Sequence, residues 1–513
     1  MRNCGKAPPE ASTFLSKKLP RIAIATGAPP LKDKGLMATD STPPSPQGLK
    51  RSLGLSSLIL YGIVLVQPTA PMPLFGAAAA HGQGHVVTAV LIGMVGMLFT
   101  AISYGRMANA YPSAGSAYAY VSREIHPILG YFVGWSIIFD YVINPIICVI
   151  WISGAARNII PEVPFFAYAV FFVVLFTLMN LRGIEASSRT NAIIAAGLGV
   201  VIFLFLGAAA RYLWLQPPHG LAEWTRPFYD PQTFSFHTVS SGAALAVLTY
   251  IGFDGVSTLS EEAHNPRRNI LLATVLVCLI TGVLASIQVY AAQLVWPETT
   301  FPDEDTAFCY AAGKAGAAQS FHGMDLTSKD AVLAAIAAGG GKWLFLTINF
   351  SLLVASIGSG AGAHLGAGRL LYSMGRDNAI PRRFFAAINP RTRIPSNNIL
   401  LIGALMLVGV FSMSYSLGCE LLNFGALIAF MGVNIAALLH YYLRSEGKKF
   451  WNLLSPLLGF VVCAYLWWSL GRTAHIAGML WLSSGVLYGA WRTSFFKKPI
   501  QFASIESNEP KDG

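Results

Sequence analysis

The stretch that most constrains the fold is the apolar segment 236–269, which is long enough to cross a lipid bilayer but is interrupted near its middle. Two glycines flank an aromatic residue and a carboxylate at Gly252-Phe253-Asp254-Gly255. Backbone amides and carbonyls find no water in hydrocarbon, so such a break survives only where it lines a cavity or is buried in protein. The segment therefore predicts a broken transmembrane helix that forms half of a binding site.

A second interrupted segment is expected if the chain consists of two repeats of opposite orientation. The first apolar span contains three prolines between residues 68 and 73. Proline lacks an amide donor and leaves carbonyls unpaired one turn earlier, so the carbonyls of residues 64–66 are predicted to face a bound cation. The restarted helix would offer amides near Thr69 and Ala70 to an anionic group. A proline kink without any ligand is the alternative.

The rest of the chain indicates a polytopic membrane protein. Hydrophobic residues make up 54% of its 513 residues and charged residues only 12%, and the apolar residues come in repeated blocks. These blocks predict twelve spans, at residues 53–78, 85–109, 127–156, 164–181, 190–210, 238–260, 270–296, 343–372, 396–414, 421–443, 453–470 and 476–491. The long loop between the seventh and eighth spans is rich in carboxylates, and its part 325–338 is compatible with a short surface helix.

The net charge of +11 is a signal of orientation rather than of nucleic-acid binding. When loops are assigned to alternate sides, most of the 35 Lys and Arg residues fall on the side that holds both termini. The positive-inside rule then predicts a multi-pass protein of the plasma (inner) membrane with both termini in the cytoplasm. Six cysteines lie far apart without a paired spacing, so we expect no disulfide framework, no metal and no cofactor.

The two ends of the chain are expected to be cytoplasmic tails. Residues 1–50 are rich in Pro, Ser, Lys and Arg and are predicted to be disordered, and residues 496–513 form a second tail. Met37 is an alternative start site, which mass spectrometry of the N-terminal peptide of the natural product would test. A single transport domain is predicted between the tails, over residues 51–495.

Several separate motifs occur in order along the spans: residues 111–118 (YPSAGSAY), 134–141 (GWSIIFDY), 180–185 (NLRGIE), 252–254 (GFD) with 260–269, and 369–377 (RLLYSMGRD). This set resembles the amino acid, polyamine and organocation family of permeases, nearest its bacterial putrescine-importer-like and amino acid permease branch. The resemblance implies an all-α LeuT-type fold with two inverted five-helix repeats, 53–211 and 237–443, and two peripheral helices within 453–491.

Two positions depart from the family pattern. Ser116 stands where a second glycine is usual, and no lysine occurs midway along the fifth span, where Gly197, Leu198 or Gly199 is found. Proton-coupled members with that lysine use its ammonium in place of a sodium ion. A lysine-based coupling mechanism is therefore not expected here.

The predicted substrate site combines the two breaks. Asp254 is interpreted either as the counter-charge of a substrate ammonium or as a cap for the restarted helix, and Phe253 is expected to close over the site. The predicted substrate-binding residues are Val66, Gln67, Pro68, Thr69, Ala70, Tyr250, Gly252, Phe253, Asp254 and Gly255.

Four further ionisable residues are candidates for coupling or gating. Asp140 lies within an apolar span, where a carboxylate costs about 2.5–3.5 kcal/mol on insertion scales, so it must face protein, water or a cation. Structural pairing and a transport role both fit this position. His364 is interpreted as a packing residue or a proton carrier, and Glu261 and Glu262 as parts of a cytoplasmic charge cluster or of a gate.

These features favour a secondary active transporter that moves an amino acid or a polyamine across the lipid bilayer by alternating access, with proton symport or exchange as the coupling. A sensor of the same fold that binds without transporting is an alternative, and a channel is another. No enzyme is expected, because the sequence lacks His-Glu-x-x-His, Gly-x-Ser-x-Gly and P-loop motifs.

Overall fold

The structure is a computed structural model. In the residues that it describes, the regular secondary structure is helical. An isolated parallel bridge between Leu53 and Ala263 is the only β pairing in this part of the chain. The described residues are 53–111, 116–183, 188–260, 263–317, 319, 321, 323–376 and 380–493. The predictions for the two tails, and for Glu261 and Glu262, concern residues outside these ranges.

The first half of the chain begins with a bent pair of helices and continues with long apolar helices joined by short connections. These helices are α1 (Leu55–Val66), α2 (Pro71–His81), α3 (Val86–Ala110), α4 (Ser116–Glu124), α5 (Pro127–Ile159), α6 (Phe165–Leu181), α7 (Ser188–Leu215) and α8 (Leu221–Thr225).

The second half begins with another interrupted helix, in which α9 (Phe236–Ala246) continues into 3₁₀ turns at Val247–Tyr250 and Phe253–Leu259. The remaining helices are α10 (Pro266–Val295), α11 (Ala307–Ala317), α12 (Lys329–Ala338), α13 (Lys342–Arg376), α14 (Arg382–Phe385), α15 (Ser396–Ser412), α16 (Tyr415–Leu438, extended by a π-turn at Leu439–Leu443), α17 (Phe450–Trp468) and α18 (Arg472–Arg492).

The helices coincide with the predicted apolar blocks. Among the described residues, eight helices are long and apolar enough to cross a membrane, or nine if the bent pair is one span. The helices α6 and α15 are apolar but shorter, and α18 occupies the last predicted block. Helical, multi-pass architecture is thus confirmed, whereas the count of twelve spans stays a prediction.

The first break lies between α1 and α2, which meet at an angle of 54°. Gln67 has a positive φ of 64°, and its amide still donates to Ile63 O at 3.0 Å. The prolines explain why the helix stops here, since Pro68 has no amide to continue the ladder and Pro71 begins the next helix. The break predicted from the three prolines is present.

The second break lies at Ile251 and Gly252, at the first glycine of the predicted interruption. Gly252 has φ of 115°, which strongly favours glycine. A Cβ atom there would lie 3.3 Å from the carbonyl carbon and oxygen of Leu65, so the backbones of the two breaks approach each other closely. The chain continues after Gly252 as a 3₁₀ helix rather than as an α-helix.

One half-helix of each break is joined to the other at the end away from the breaks: α1, which precedes the first break, and the 3₁₀ helix Phe253–Leu259, which follows the second. The amide of His264 donates to Leu53 O at 2.8 Å, next to the bridge between Leu53 and Ala263. This joint connects the beginning of α1 to the end of the 3₁₀ helix Phe253–Leu259, and the two helices also pack against each other.

A buried carboxylate fixes the short helix α4 at the same end of the molecule. Glu124 is 2% exposed and contacts the Tyr111 hydroxyl, His440 Nδ1 and, at 2.8 Å, Arg444 Nη1. Because Tyr111 follows α3 and the other two partners lie at the end of α16, this cluster holds three elements together. Ser116, the departure from the family motif, places its hydroxyl 3.3 Å from that of Ser257; residues 112–115 of the motif lie outside the described ranges.

The long loop after α10 folds over the opposite end. Its α12 confirms the short helix predicted within 325–338, but α11, in which every residue is buried, was not anticipated. Phe75 of α2 packs edge-to-face on Phe301 and Phe308 of this region, with ring centroids 5.7 and 5.8 Å apart. The indole of Trp151 donates to Asp305 O at 2.6 Å. The loop thereby closes this end against α2 and α5.

Candidate substrate site

A cavity of about 580 Å³ lies where the two breaks meet. Its walls come from α1, α5, α7, α13 and the second break, so both halves of the chain contribute. The cavity extends along α1 to Tyr61 and along α13 to Arg369, towards the end that holds the Leu53–Ala263 joint. The opposite end is covered by the aromatic contacts of Phe75.

Half of the predicted substrate-binding residues line this cavity: Gln67, Pro68, Gly252, Asp254 and Gly255. Val66 and Ala70 line a neighbouring space of about 130 Å³, which shares Gln67 with the main cavity and lies on the side of Trp151 and Tyr415. The two breaks are therefore brought together around one volume.

The other three predicted residues pack away from the cavity. Tyr250 is fully buried, and its hydroxyl donates to Val90 O at 2.7 Å. Phe253 is also fully buried, between Tyr104 and Phe430 at centroid distances of 5.5 and 5.3 Å, so it does not cover the cavity in this conformation. Thr69 is 2% exposed and lines neither space.

Two carboxylates line the main cavity. Asp140 lies midway along α5, and Asp254 lies in the first turn of the 3₁₀ helix, where a negative charge is favoured by the unpaired amides of the helix start. Both side chains are half-buried. Arg369 on α13 lines the far end of the same cavity.

The hydrogen bonds at the breaks favour a cation over an anion. The amide of Ala70, which was predicted to face an anionic group, already donates to the carbonyl of Gln67 at 3.1 Å, and the amide of Gly255 likewise donates to that of Gly252 at 3.1 Å. In contrast, no described backbone amide donates to the carbonyls of residues 64–66. The breaks thus present free acceptors next to a carboxylate, a combination that suits an ammonium group.

Of the four coupling candidates, Asp140 lines the cavity and His364 does not. His364 is fully buried between α13 and α15, where its Nε2 lies 2.9 Å from Ile399 O and its Nδ1 has no partner among the described residues. It does not line the cavity. Glu261 and Glu262 lie outside the described residues.

Several cavity residues were missed by sequence reasoning. Asn144 lies one helical turn after Asp140 on α5, and Ser359 lines the same cavity from α13 among small residues. The signal for Asn144 was available, since polar residues four apart share one face of a helix. Leu198, one of the positions at which the family's lysine was sought, also lines the cavity and carries no charge.

Comparison with known families gives a match over most of the chain: residues 52–477 match the amino acid permease family. The described residues contain no group of three His, Cys, Asp or Glu side chains that could hold a metal ion.

Similar proteins of known function are transporters. The low-affinity putrescine importer PlaP of Escherichia coli K12 is 31% identical over 88% of this chain and 96% of its own length. The branched-chain amino acid permease BcaP of Lactococcus lactis is 26% identical over 85% of this chain and 93% of its own. The methylthioribose transporter of Bacillus subtilis is 25% identical over 86% and 93%.

Among solved structures, a manganese transporter of Eremococcus coleocola shares the fold with a TM-score of 0.52 and 13% identity, over 87% of this chain and 97% of that chain. The LeuT-type fold implied by the sequence motifs is thereby confirmed. At this identity the similarity concerns the fold alone.

Proposed function

Because this chain belongs to the amino acid permease family, we propose that it is a secondary active transporter for a cationic amine, with a diamine such as putrescine as the favoured substrate. It is a multi-pass membrane transporter, as its relatives and its apolar helices indicate. The substrate, the coupling and the transport cycle are our proposals.

The observation that carries the proposal is the pair of carboxylates in one cavity, Asp140 and Asp254. A carboxylate in a membrane-embedded cavity is costly unless a cation compensates it. A diamine brings two ammonium groups, and the free carbonyls of residues 64–66 offer further acceptors. The occupied amides of Ala70 and Gly255 argue against a substrate that depends on a carboxylate at the breaks.

The position of the cavity between the two breaks supports our proposal of alternating access. The cavity extends towards the end at which α1 begins, which the positive-inside rule assigns to the cytoplasm. This conformation then corresponds to an inward-facing state. In the outward-facing state, the contacts of Phe75 and the Trp151–Asp305 hydrogen bond would open instead. Coupling is proposed to be proton symport or exchange.

The proposal is tested by uptake into proteoliposomes of labelled putrescine, arginine, glutamate, leucine and alanine, each with and without an inward proton gradient. We expect uptake of putrescine. Stimulation by the gradient would indicate symport, whereas dependence on internal amine would indicate exchange. Binding without any uptake would favour the sensor, and single-channel currents would favour the channel.

The Asp254→Asn variant provides the residue-level test. Loss of a charge-assisted hydrogen bond costs about 1.5–3 kcal/mol, so amine uptake at low concentration should fall about tenfold to a hundredfold. The matched control is Asp330→Asn, the same chemical change at an exposed position on α12, which should transport normally. If Asp254→Asn impairs a neutral amino acid as strongly as an amine, the counter-charge role is wrong.

A further inference from the structure

A second cavity, of about 620 Å³, lies near the end of the molecule that the aromatic contacts of Phe75 close. It is formed by the end of α7, the end of α10, α11 and the connections between them. It shares no lining residue with the cavity at the breaks.

A buried lysine lies at the wall of this cavity. Lys314 is only 5% exposed, and its Nζ lies 5.2 Å from the ring centroid of Trp296, 5.6 Å from that of Phe321 and 6.0 Å from that of Tyr212. No hydrogen bond joins its ammonium to any of the described residues. Burial lowers the pKa of Lys314, while the negative charge of Glu298 acts in the opposite direction. The ammonium is thus compensated by aromatic rings and by the nearby charge of Glu298, but by no hydrogen-bond acceptor among the described residues.

Two acceptors in the same cavity also lack donors. The Oε2 atom of Glu298 and the Oε1 atom of Gln293 are buried without a hydrogen-bond partner in the described part of the chain. Gln293 is 3% exposed, and its Nε2 donates to Pro297 O at 3.2 Å, which fixes the direction of the amide. Buried polar atoms are normally paired, so two unpaired acceptors beside a buried ammonium around one volume are unusual.

The other charged side chains around this cavity are already engaged. Glu223 accepts the backbone amide of His219 at 2.9 Å, and Arg226 pairs with Asp230 at 3.1 Å. The unpaired set is therefore a donor cation, a carboxylate and an amide oxygen, facing walls that include Met324 and Leu326.

We propose that this cavity is a binding site for an α-amino acid with an apolar side chain, separate from the transport site. The ligand carboxylate would accept from Lys314, the ligand ammonium would donate to Glu298 and Gln293, and the side chain would rest against the apolar wall. An α-amino acid is the small ligand that supplies both charges a short distance apart. The site is independent of the proposed transport of amines.

The test is equilibrium binding of radiolabelled L-leucine to the purified full chain in lipid nanodiscs. Two leucine analogues serve as matched probes: L-leucinamide lacks the carboxylate and 4-methylpentanoate lacks the ammonium. Each loses one charge-assisted hydrogen bond, so each should compete about tenfold or more weakly than leucine. Equal competition by either analogue would contradict the arrangement.

Variants assign the binding to this cavity. Lys314→Met and Glu298→Gln should each weaken leucine binding about tenfold or more, whereas excess putrescine should not displace leucine. The proposal is overturned if wild-type protein does not bind leucine at millimolar concentration, if both cavity variants bind normally, or if excess putrescine displaces leucine. Should Lys314→Met fail to fold, Glu298→Gln and the two analogues still decide the question.

Discussion

Replacing Gly252 by alanine tests whether the close approach of the two breaks is needed for transport. Gly252 adopts φ of 115°, and residues other than glycine pay about 1–3 kcal/mol in such a conformation. The added Cβ would also lie 3.3 Å from the carbonyl atoms of Leu65, which belong to the backbone and cannot rotate away. If the substitution destabilises this conformation by about 2 kcal/mol, the population of molecules in which the two breaks are in contact falls about 30-fold relative to wild type.

The assay is the initial rate of amine uptake into proteoliposomes, normalised to reconstituted protein. We expect Gly252→Ala to reduce the rate about tenfold or more. Gly358→Ala is the matched control, because Gly358 lines the same cavity but a Cβ there has no heavy atom within 4 Å. The control should stay within about twofold of wild type. A folded Gly252→Ala variant that transports at the wild-type rate would refute the reasoning.

Two further predictions concern the ends of the molecule. Glu124→Gln removes the charge that binds Arg444 and should lower the thermal unfolding midpoint of the protein. The control Glu162→Gln, at an exposed position, should leave the midpoint unchanged. Equal midpoints for the two variants would contradict a stabilising role for the Glu124 cluster. Burial, followed by the charges of Asp303 and Glu304, raises the pKa of Asp305 to about 7. Its protonated form is favoured in the folded state, so the closed loop should lose stability as pH rises from about 4 to about 7. Asp305→Asn should flatten the dependence of stability on pH, measured as thermal unfolding midpoints between about pH 5 and pH 8. An unchanged slope in this variant would show that other groups cause the pH dependence.

The sequence predicted the elements whose cause is local. Three prolines end a helix because of covalent geometry, and the Gly252-Phe253-Asp254-Gly255 sequence marks a second interruption. Both breaks are present and they meet at a cavity, whereas the substrate site itself stays a prediction. The family resemblance was confirmed by the match over residues 52–477.

Features that depend on packing between distant parts of the chain were not predicted from the sequence. The direction of Phe253 follows from the 3₁₀ geometry after Gly252 and from the space between α3 and α16, neither of which is written in the local sequence. Helix α11 was missed because its Ala- and Gly-rich sequence carries no amphipathic pattern, since all its faces are buried. Ser359 comes from a distant helix whose rotation only tertiary contacts determine.

The bridge between Leu53 and Ala263 connects two half-helices at the end of the molecule towards which the cavity extends. Backbone groups join α1 to the 3₁₀ helix, so in the proposed transport cycle the two half-helices would move together at this end. Main-chain atoms make this connection, so it does not depend on a contact between the side chains of the two residues. A displacement of one half-helix would thus be transmitted to the other through the peptide backbone, without the participation of any side chain in the cavity.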